Sequence, residues 1–180
     1  MKIVKKILLV LGILIAIVLI SAIFIGKDFK VQREIVINKP KQDVFAYVLL
    51  LKNQNNFSKW AMMDPNMEKT YTGTDGKVGF IQAWDSKNGD VGKGAQEIKA
   101  ITDGDRIDYE IRFERPMKIT NTAYLVTEAV SPTQTKVKWG FDGKTPYPFN
   151  FLCVFMNMED MVGKDLEVGL KNLIPTPNII

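Results

Sequence analysis

Histidine is missing from the sequence altogether, and cysteine occurs once, at Cys153. Without histidine, the commonest general base, the usual nucleophile–base triads and the commonest metal ligand are all excluded. A lone cysteine closes no internal disulfide, so it says nothing of redox compartment, and it cannot build a structural zinc site. Cys153 sits in the apolar run FNFLCVFMN, surroundings that raise a thiol's pKa and leave it an inert core residue. Nothing here calls for a metal or a cofactor. Acidic residues are absent before Asp28, so the formal charge of +4 is carried largely by Lys2, Lys5 and Lys6. Without those three lysines, 24 basic side chains become 21 against 20 acidic ones. A nearly neutral remainder with no basic run lacks the electrostatic footprint of a nucleic-acid binder. A phosphate-cradling loop is absent too. Gly73, Gly76 and Gly79 in GTDGKVG, and VGKG after them, lead into strand-like runs, whereas such a loop must open a helix. They read as turns.

What the chain does have is a long apolar run, Ile7 to Ile25, ILLVLGILIAIVLISAIFI. At ~1.5 Å per residue a helix over it matches the ~30 Å hydrocarbon core of a bilayer. A cleaved secretory signal is the alternative, but its apolar region is shorter, at about 7–15 residues, and ends at small residues. SAIFIGKD is a poor cleavage site, and no cysteine follows for lipoprotein processing. The expectation is an uncleaved single-pass anchor over residues 1–26, followed by one domain over residues 27–180, at the cell membrane. The three leading lysines favour a cytoplasmic N-terminus and an extracytoplasmic domain. Lys27, Lys30, Arg33, Lys39 and Lys41 on the far side count against that, although a folded domain translocates largely regardless of charge. Gly26, Lys27 and Asp28 form so short a tether that the domain works within about 10 Å of the headgroups at its attachment.

The remainder reads as strand, short helices, a meander and a long helix. FKVQREIVIN alternates with Val31, Arg33, Ile35 and Ile37 on one side. Pro40 sets the first turn of a helix whose stripe is Val44, Tyr47, Val48 and Leu51, and a second short helix is expected around Asn55 to Trp60. Asp75-Gly76, Asn88-Gly89, Asp103-Gly104 and Asp142-Gly143 are turn signals between strand-like runs. The clearest run sets Ile107, Tyr109, Ile111 and Phe113 against Asp108, Glu110, Arg112 and Glu114, as in an antiparallel sheet with one buried face. Pro148 opens a helical stretch, roughly Phe149 to Leu173, with Phe151, Phe155, Met158, Val162, Leu166, Gly169 and Leu173 at helical spacing. The tail PTPNII is expected to be extended. This is an α+β order, with six to seven strands curved around one long C-terminal helix that must cover them.

Three segments carry a resemblance: REIVINKPKQDVFAYV, NFSKWAMMDPNMEKTYTGTDGKVGFIQAW and MVGKDLEVGLKNLI. Together with the order of elements they resemble the helix-grip fold of the START-like superfamily, and more narrowly its bacterial polyketide cyclase/dehydrase and lipid-transport branch. The resemblance spans roughly residues 29–174 and leaves the anchor outside. These are packing signatures with no universal catalytic residues, so no catalytic residue is carried over. The fold implies that the last helix lies across the sheet and that a pocket or a solid core fills the space between.

By alternation, the inward candidates are Phe80, Gln82 and Trp84; Tyr109, Ile111 and Phe113; and Val137, Trp139 and Phe141. The helix adds Phe155, Met158, Val162 and Leu166, with Gly163 and Gly169 allowing close approach. Gln82, Asn121 and Tyr109 would place polar groups inward, where a ligand's hydroxyl or carbonyl, a backbone group or a water must satisfy them. Trp60, Met62 and Met63 are adaptable apolar groups where helices hand over to the sheet, a joint or lid rather than a catalytic loop. Glu159, Asp160 and Asp165 read as a solvated face beside Lys164.

These readings favour a non-catalytic, membrane-anchored cup for a hydrophobic small molecule such as a lipid or isoprenoid. Two alternatives stay open. One is a cyclase-type enzyme in which Tyr109 or an inward carboxylate moves protons. The other is an envelope stress or interaction module whose core is filled where Trp84, Trp139 and Phe155 meet.

Overall fold

The computed structural model describes residues 2–174; the tail PTPNII lies outside them. An apolar helix, α1 (Lys2–Phe24), comes first, and it is long and apolar enough to cross a membrane. Strand β1 (Asp28–Ile37) follows at once, with Val31 and Ile37 buried, Arg33 and Ile35 half-buried, and the residues between them exposed. After Pro40 comes α2 (Lys41–Leu49), which buries Val44, Tyr47 and Val48 as its stripe predicts. The second helix resolves into two pieces, a 3-10 turn Leu51–Asn56 and α3 (Lys59–Met63).

Six more strands complete one antiparallel sheet: β2 (Glu68–Thr72), β3 (Ile81–Asp85), β4 (Lys93–Thr102), β5 (Arg106–Arg115), β6 (Ile119–Ser131) and β7 (Gln134–Lys144). Their order across the sheet is β1-β7-β6-β5-β4-β3-β2, so only β1 departs from sequence order by pairing with the last strand. The turn signals at Asp75-Gly76, Asn88-Gly89 and Asp103-Gly104 all fall between strands. Asp142-Gly143 does not; it lies inside β7, paired with Lys30 and Phe29 of β1. Gly143 is there for space, because a Cβ would stand 2.2 Å from the Phe29 ring.

The expected helix from Phe149 to Leu173 is broken. A 3-10 turn, Phe149–Val154, is separated from α4 (Met158–Leu173) by Asn157, whose side chain accepts a hydrogen bond from the Asp160 amide at 3.0 Å. An N-cap with acidic residues in the first turn starts a helix where an apolar 3.6 period alone would run straight through. Helix α4 then crosses β1 and β7, burying Leu166, Leu170 and Leu173. Its two glycines allow that approach: a Cβ on Gly163 would meet the Arg33 guanidinium at 2.3 Å, and one on Gly169 the Trp139 ring at 2.6 Å. Arg33, pointing inward under the helix, donates to Glu167 of α4 at 2.8 Å.

Strand registers define two ends of the sheet. β1 begins at Asp28 beside Lys144, where β7 ends; β5 ends at Arg115 beside Lys93, where β4 begins; β3 ends at Asp85 beside Glu68, where β2 begins. All these termini lie at the end where α1 joins the domain. At the opposite end the interior is solid, with Ile98, Ile107, Tyr109, Leu125 and Val137 packed under Val44, Val48, Leu51 and Phe57.

Candidate functional site

Toward the α1 end, the space between sheet and helix is a cavity of about 230 Å³. The sheet contributes Gln82, Trp84, Gln96, Ile111, Phe113, Ala123, Trp139 and Phe141, one face of four adjacent strands plus β7. Val162 and Leu166 of α4 form the roof, and Trp60 and Ala61 of α3 close one side. The aromatic walls brace each other edge-on: Trp60 with Trp139 at 6.4 Å between centroids, and Trp84 with Phe113 at 5.9 Å. Trp84 is fixed further by its indole N–H, which donates to the Val91 carbonyl at 3.2 Å. Met67 and the β3–β4 connection, through Asp90 and Val91, complete the lining. Asp90 is exposed and Met67 half-buried, so the mouth lies between α3 and that hairpin. This is the α1 end of the sheet.

Of the residues singled out from sequence, Trp60, Gln82, Trp84, Ile111, Phe113, Trp139, Val162 and Leu166 meet around the cavity. Phe80 and Tyr109 do point inward but belong to the solid end, Phe80 stacking on Tyr71 at 6.2 Å. Asn121 is buried, but its Oδ1 accepts from the Lys144 amide at 3.0 Å, so a backbone group satisfies it. Phe155 and Met158 are not part of the roof. Phe155 is 73% exposed, and both line a surface cleft with Gly26 to Phe29 and with Cys153, which is half-exposed in the 3-10 turn and not in the core as its apolar run suggested. The break at Asn157 separates Phe155 from the stripe of α4, while Met158, four residues before Val162, sits in the helix's first turn short of the cavity. Met62 and Met63 are exposed at the end of α3, and Met67, just past the Asp64-Pro65 break, is the methionine that reaches the cavity.

The residue that sequence reading missed is Gln54. It sits in the polar tract LKNQNN, which looks like surface, yet it is buried, lines the cavity, and lays its amide against the buried Tyr109 hydroxyl. A buried donor left unmade costs about 1–3 kcal/mol, and the adjacent Tyr109 oxygen is the acceptor within the protein that can relieve that cost. Gln82 is better provided: its amide exchanges long contacts of 3.3 and 3.4 Å with Asn55. Ser58 and Gln96 are the remaining polar members. Asp90 at the mouth is the one charged side chain of the lining. Among the described residues no group of His, Cys, Asp or Glu converges to hold a metal ion. The arrangement can hold an apolar body and accept or donate a few hydrogen bonds.

No protein-family model and no curated protein matches the sequence. Solved structures do match in shape. A truncated norcoclaurine synthase from Thalictrum flavum superposes with a TM-score of 0.60 at 8% identity, covering 83% of this chain and 92% of that one. An Aha1 dimer from Colwellia psychrerythraea gives 0.56 at 11%, over 81% and 93%. Ara h 8.0201 gives 0.54 at 13%, over 81% and 94%. At such identities the likeness concerns backbone alone, and on that ground residues 28–173 adopt the START-like helix-grip fold, preceded by a long apolar helix.

Proposed function

We propose that the chain is a membrane-anchored binding or transfer domain for a hydrophobic small molecule, a lipid, an isoprenoid or a similar metabolite, and that it performs no catalysis. The observation that carries this reading is the cavity: aromatic and aliphatic walls, a few polar groups at Gln54, Ser58, Gln82 and Gln96, and a mouth at the end of the sheet where α1 joins. At about 230 Å³ it lies just below the usual ~300–1,000 Å³ range of small-molecule sites, which suits a slender chain or a single ring system better than a bulky polycycle. With α1 read as an anchor rather than a cleaved signal, and the domain on the extracytoplasmic side, the mouth stands close to the source of such molecules.

The enzyme reading finds less support. Asp90 stands alone among the lining side chains as a charged group, and Tyr109 lies outside the lining. The filled-core reading needed Trp84, Trp139 and Phe155 to meet at the centre. Instead Trp84 pairs with Phe113, Trp139 with Phe57 and Trp60, and Phe155 with Phe151 outside.

The test uses full-length protein purified in mild detergent from its own membrane. Native mass spectrometry followed by denaturing extraction should release a stoichiometric apolar compound. Val162→Trp, which fills the cavity from its roof, should lose that compound while keeping the fold. A compound retained by a folded Val162→Trp variant, or a wild-type protein that stays empty when offered lipids, would overturn the reading.

A further inference from the structure

Between Lys144 and Glu159 the chain carries no charged side chain, yet much of this segment faces outward. Phe149 is 50% exposed, Val154 60% and Phe155 73%, with Leu152 and Met156 exposed beside them. Elsewhere on the domain, apart from the pair Met62 and Met63, large exposed apolar side chains such as Val36, Val78 and Val130 stand singly, which is ordinary for a protein surface. A contiguous apolar surface is not.

What covers it is indicated by Asn150. This residue is fully buried, and its Nδ2 donates to the Ala22 carbonyl at 2.7 Å and to the Ile25 carbonyl at 2.9 Å. The first is among the last carbonyls of α1, which a helix leaves without internal partners, and the second follows the helix end directly. The 3-10 turn Phe149–Val154 is thereby clamped to the C-terminal end of the apolar helix, and it buries Ala22 completely. Ala22 lies three residues inside the end of the apolar run at Ile25, about 4.5 Å along the axis. The turn therefore reaches below the level at which α1 leaves its apolar surroundings.

We propose that the segment from Tyr147 to Met156 is a second membrane contact, lying in the headgroup and upper acyl layer beside α1. Aromatic side chains favour that layer, and apolar faces of interfacial segments sit about 5–10 Å deep in it. The inference rests on the reading of α1 as a membrane anchor and adds to it a fixed orientation. With helix and turn both held at the bilayer, the domain stands with the α1 end of its sheet, and so the cavity mouth, toward the lipid.

The test places an environment-sensitive fluorophore at single sites of the full chain, in a Cys153→Ser background, in nanodiscs of phosphatidylcholine and phosphatidylglycerol. The sites are Phe155→Cys and Leu152→Cys in the segment, Ile15→Cys in mid-helix, and Lys77→Cys in the β2–β3 turn at the far end of the sheet. All four positions are exposed on the protein, so none threatens the fold. The labels at 155 and 152 should emit blue-shifted and lose most of their intensity to lipids spin-labelled near the headgroup, while the label at 77 stays unaffected. Labels at 155 and 152 as wet as that at 77, with the label at 15 quenched by deep spin labels, would overturn the second contact and leave the anchor standing. Shelter of 155 from both lipid quenchers and aqueous iodide would show a protein surface there, a second copy or another partner, and would equally overturn it. An unquenched label at 15 would remove the anchor, and the inference with it.

Discussion

The hydroxyl of Tyr109 is fully buried at the solid end of the interior, and its one polar neighbour is the Gln54 amide, which it meets at poor hydrogen-bonding geometry. Burial pushes its pKa far up, against a hydrogen bond from Gln54 that lowers it, so the phenol stays neutral at any physiological pH and is a poor proton carrier. Removing an unsatisfied group should relieve its desolvation cost: Tyr109→Phe is expected to stabilise the protein by about 1 kcal/mol in chemical denaturation, with ligand content unchanged. A loss of stability instead would reveal a partner for the hydroxyl. Gly169 poses the opposite case, since the atom in the way is the rigid Trp139 ring rather than a flexible tip. Gly169→Ala gains up to about 1 kcal/mol of helix propensity but forces overpacking that costs about 1–3 kcal/mol. It should lower the melting temperature and, by pushing Trp139 into the cavity, reduce ligand recovered on extraction. Gly163→Ala, facing the movable end of Arg33, should do neither to the same degree.

Among the elements, β5 was the most legible from sequence because every second residue is apolar and every other one charged, a pattern only a half-buried strand satisfies. The charged side forms an outer network in which Arg112 donates to Glu97 at 2.7 Å and also pairs with Glu110. The Arg112 guanidinium, and after it Lys99, hold the Glu97 carboxyl below the usual carboxylate range. A depressed folded pKa means the unfolded chain takes up the proton first. The stabilisation is thus fully present above the ordinary glutamate value of about 4.3 and disappears as pH falls through the lowered one. Glu97→Gln should cost about 0.5 kcal/mol at neutral pH, as partly exposed pairs do, and should flatten the acid limb of a stability–pH profile below about pH 4. An acid limb identical to wild type would show that other carboxylates set it. Where sequence reading failed, a tertiary contact decided the outcome. Asp142-Gly143 has the composition of a turn, but a glycine is equally what β7 needs where the Phe29 ring crosses it. The apolar period through Phe151, Phe155 and Met158 continues smoothly into α4, and only the Asn157 cap marks the true start. That signal was readable, as Asn followed three residues later by Asp, but periodicity outweighed it. Gln54 was not readable at all, since nothing local distinguishes a buried glutamine from its exposed neighbours.

At the scale of the whole molecule, the junction between helix and domain has little freedom. The run from Ile25 to Lys27 is pinned on both sides, by Asn150 donating to Ala22 and Ile25 and by the Thr145 amide donating to the Lys27 carbonyl at 2.7 Å. Three extended residues would otherwise let a domain swing through a wide arc at about 10 Å from its attachment. A pinned junction instead fixes which end of the sheet faces the helix, and the cavity mouth shares that end. Asn150→Ala strands two buried carbonyls, each costing about 1–3 kcal/mol when unmade unless water reaches them. The expected result is faster amide hydrogen exchange over residues 22–28 and faster proteolysis at Lys27, with β4 to β7 as protected as before. Asn150→Asp should behave like Asn150→Ala, because an ionised carboxylate accepts hydrogen bonds and cannot donate them to a carbonyl. If Asn150→Asp keeps wild-type protection while Asn150→Ala loses it, packing of the side chain rather than its amide donation holds the junction. If both keep it, the domain is held by the Lys27–Thr145 pair, and removing Asn150 leaves its orientation intact.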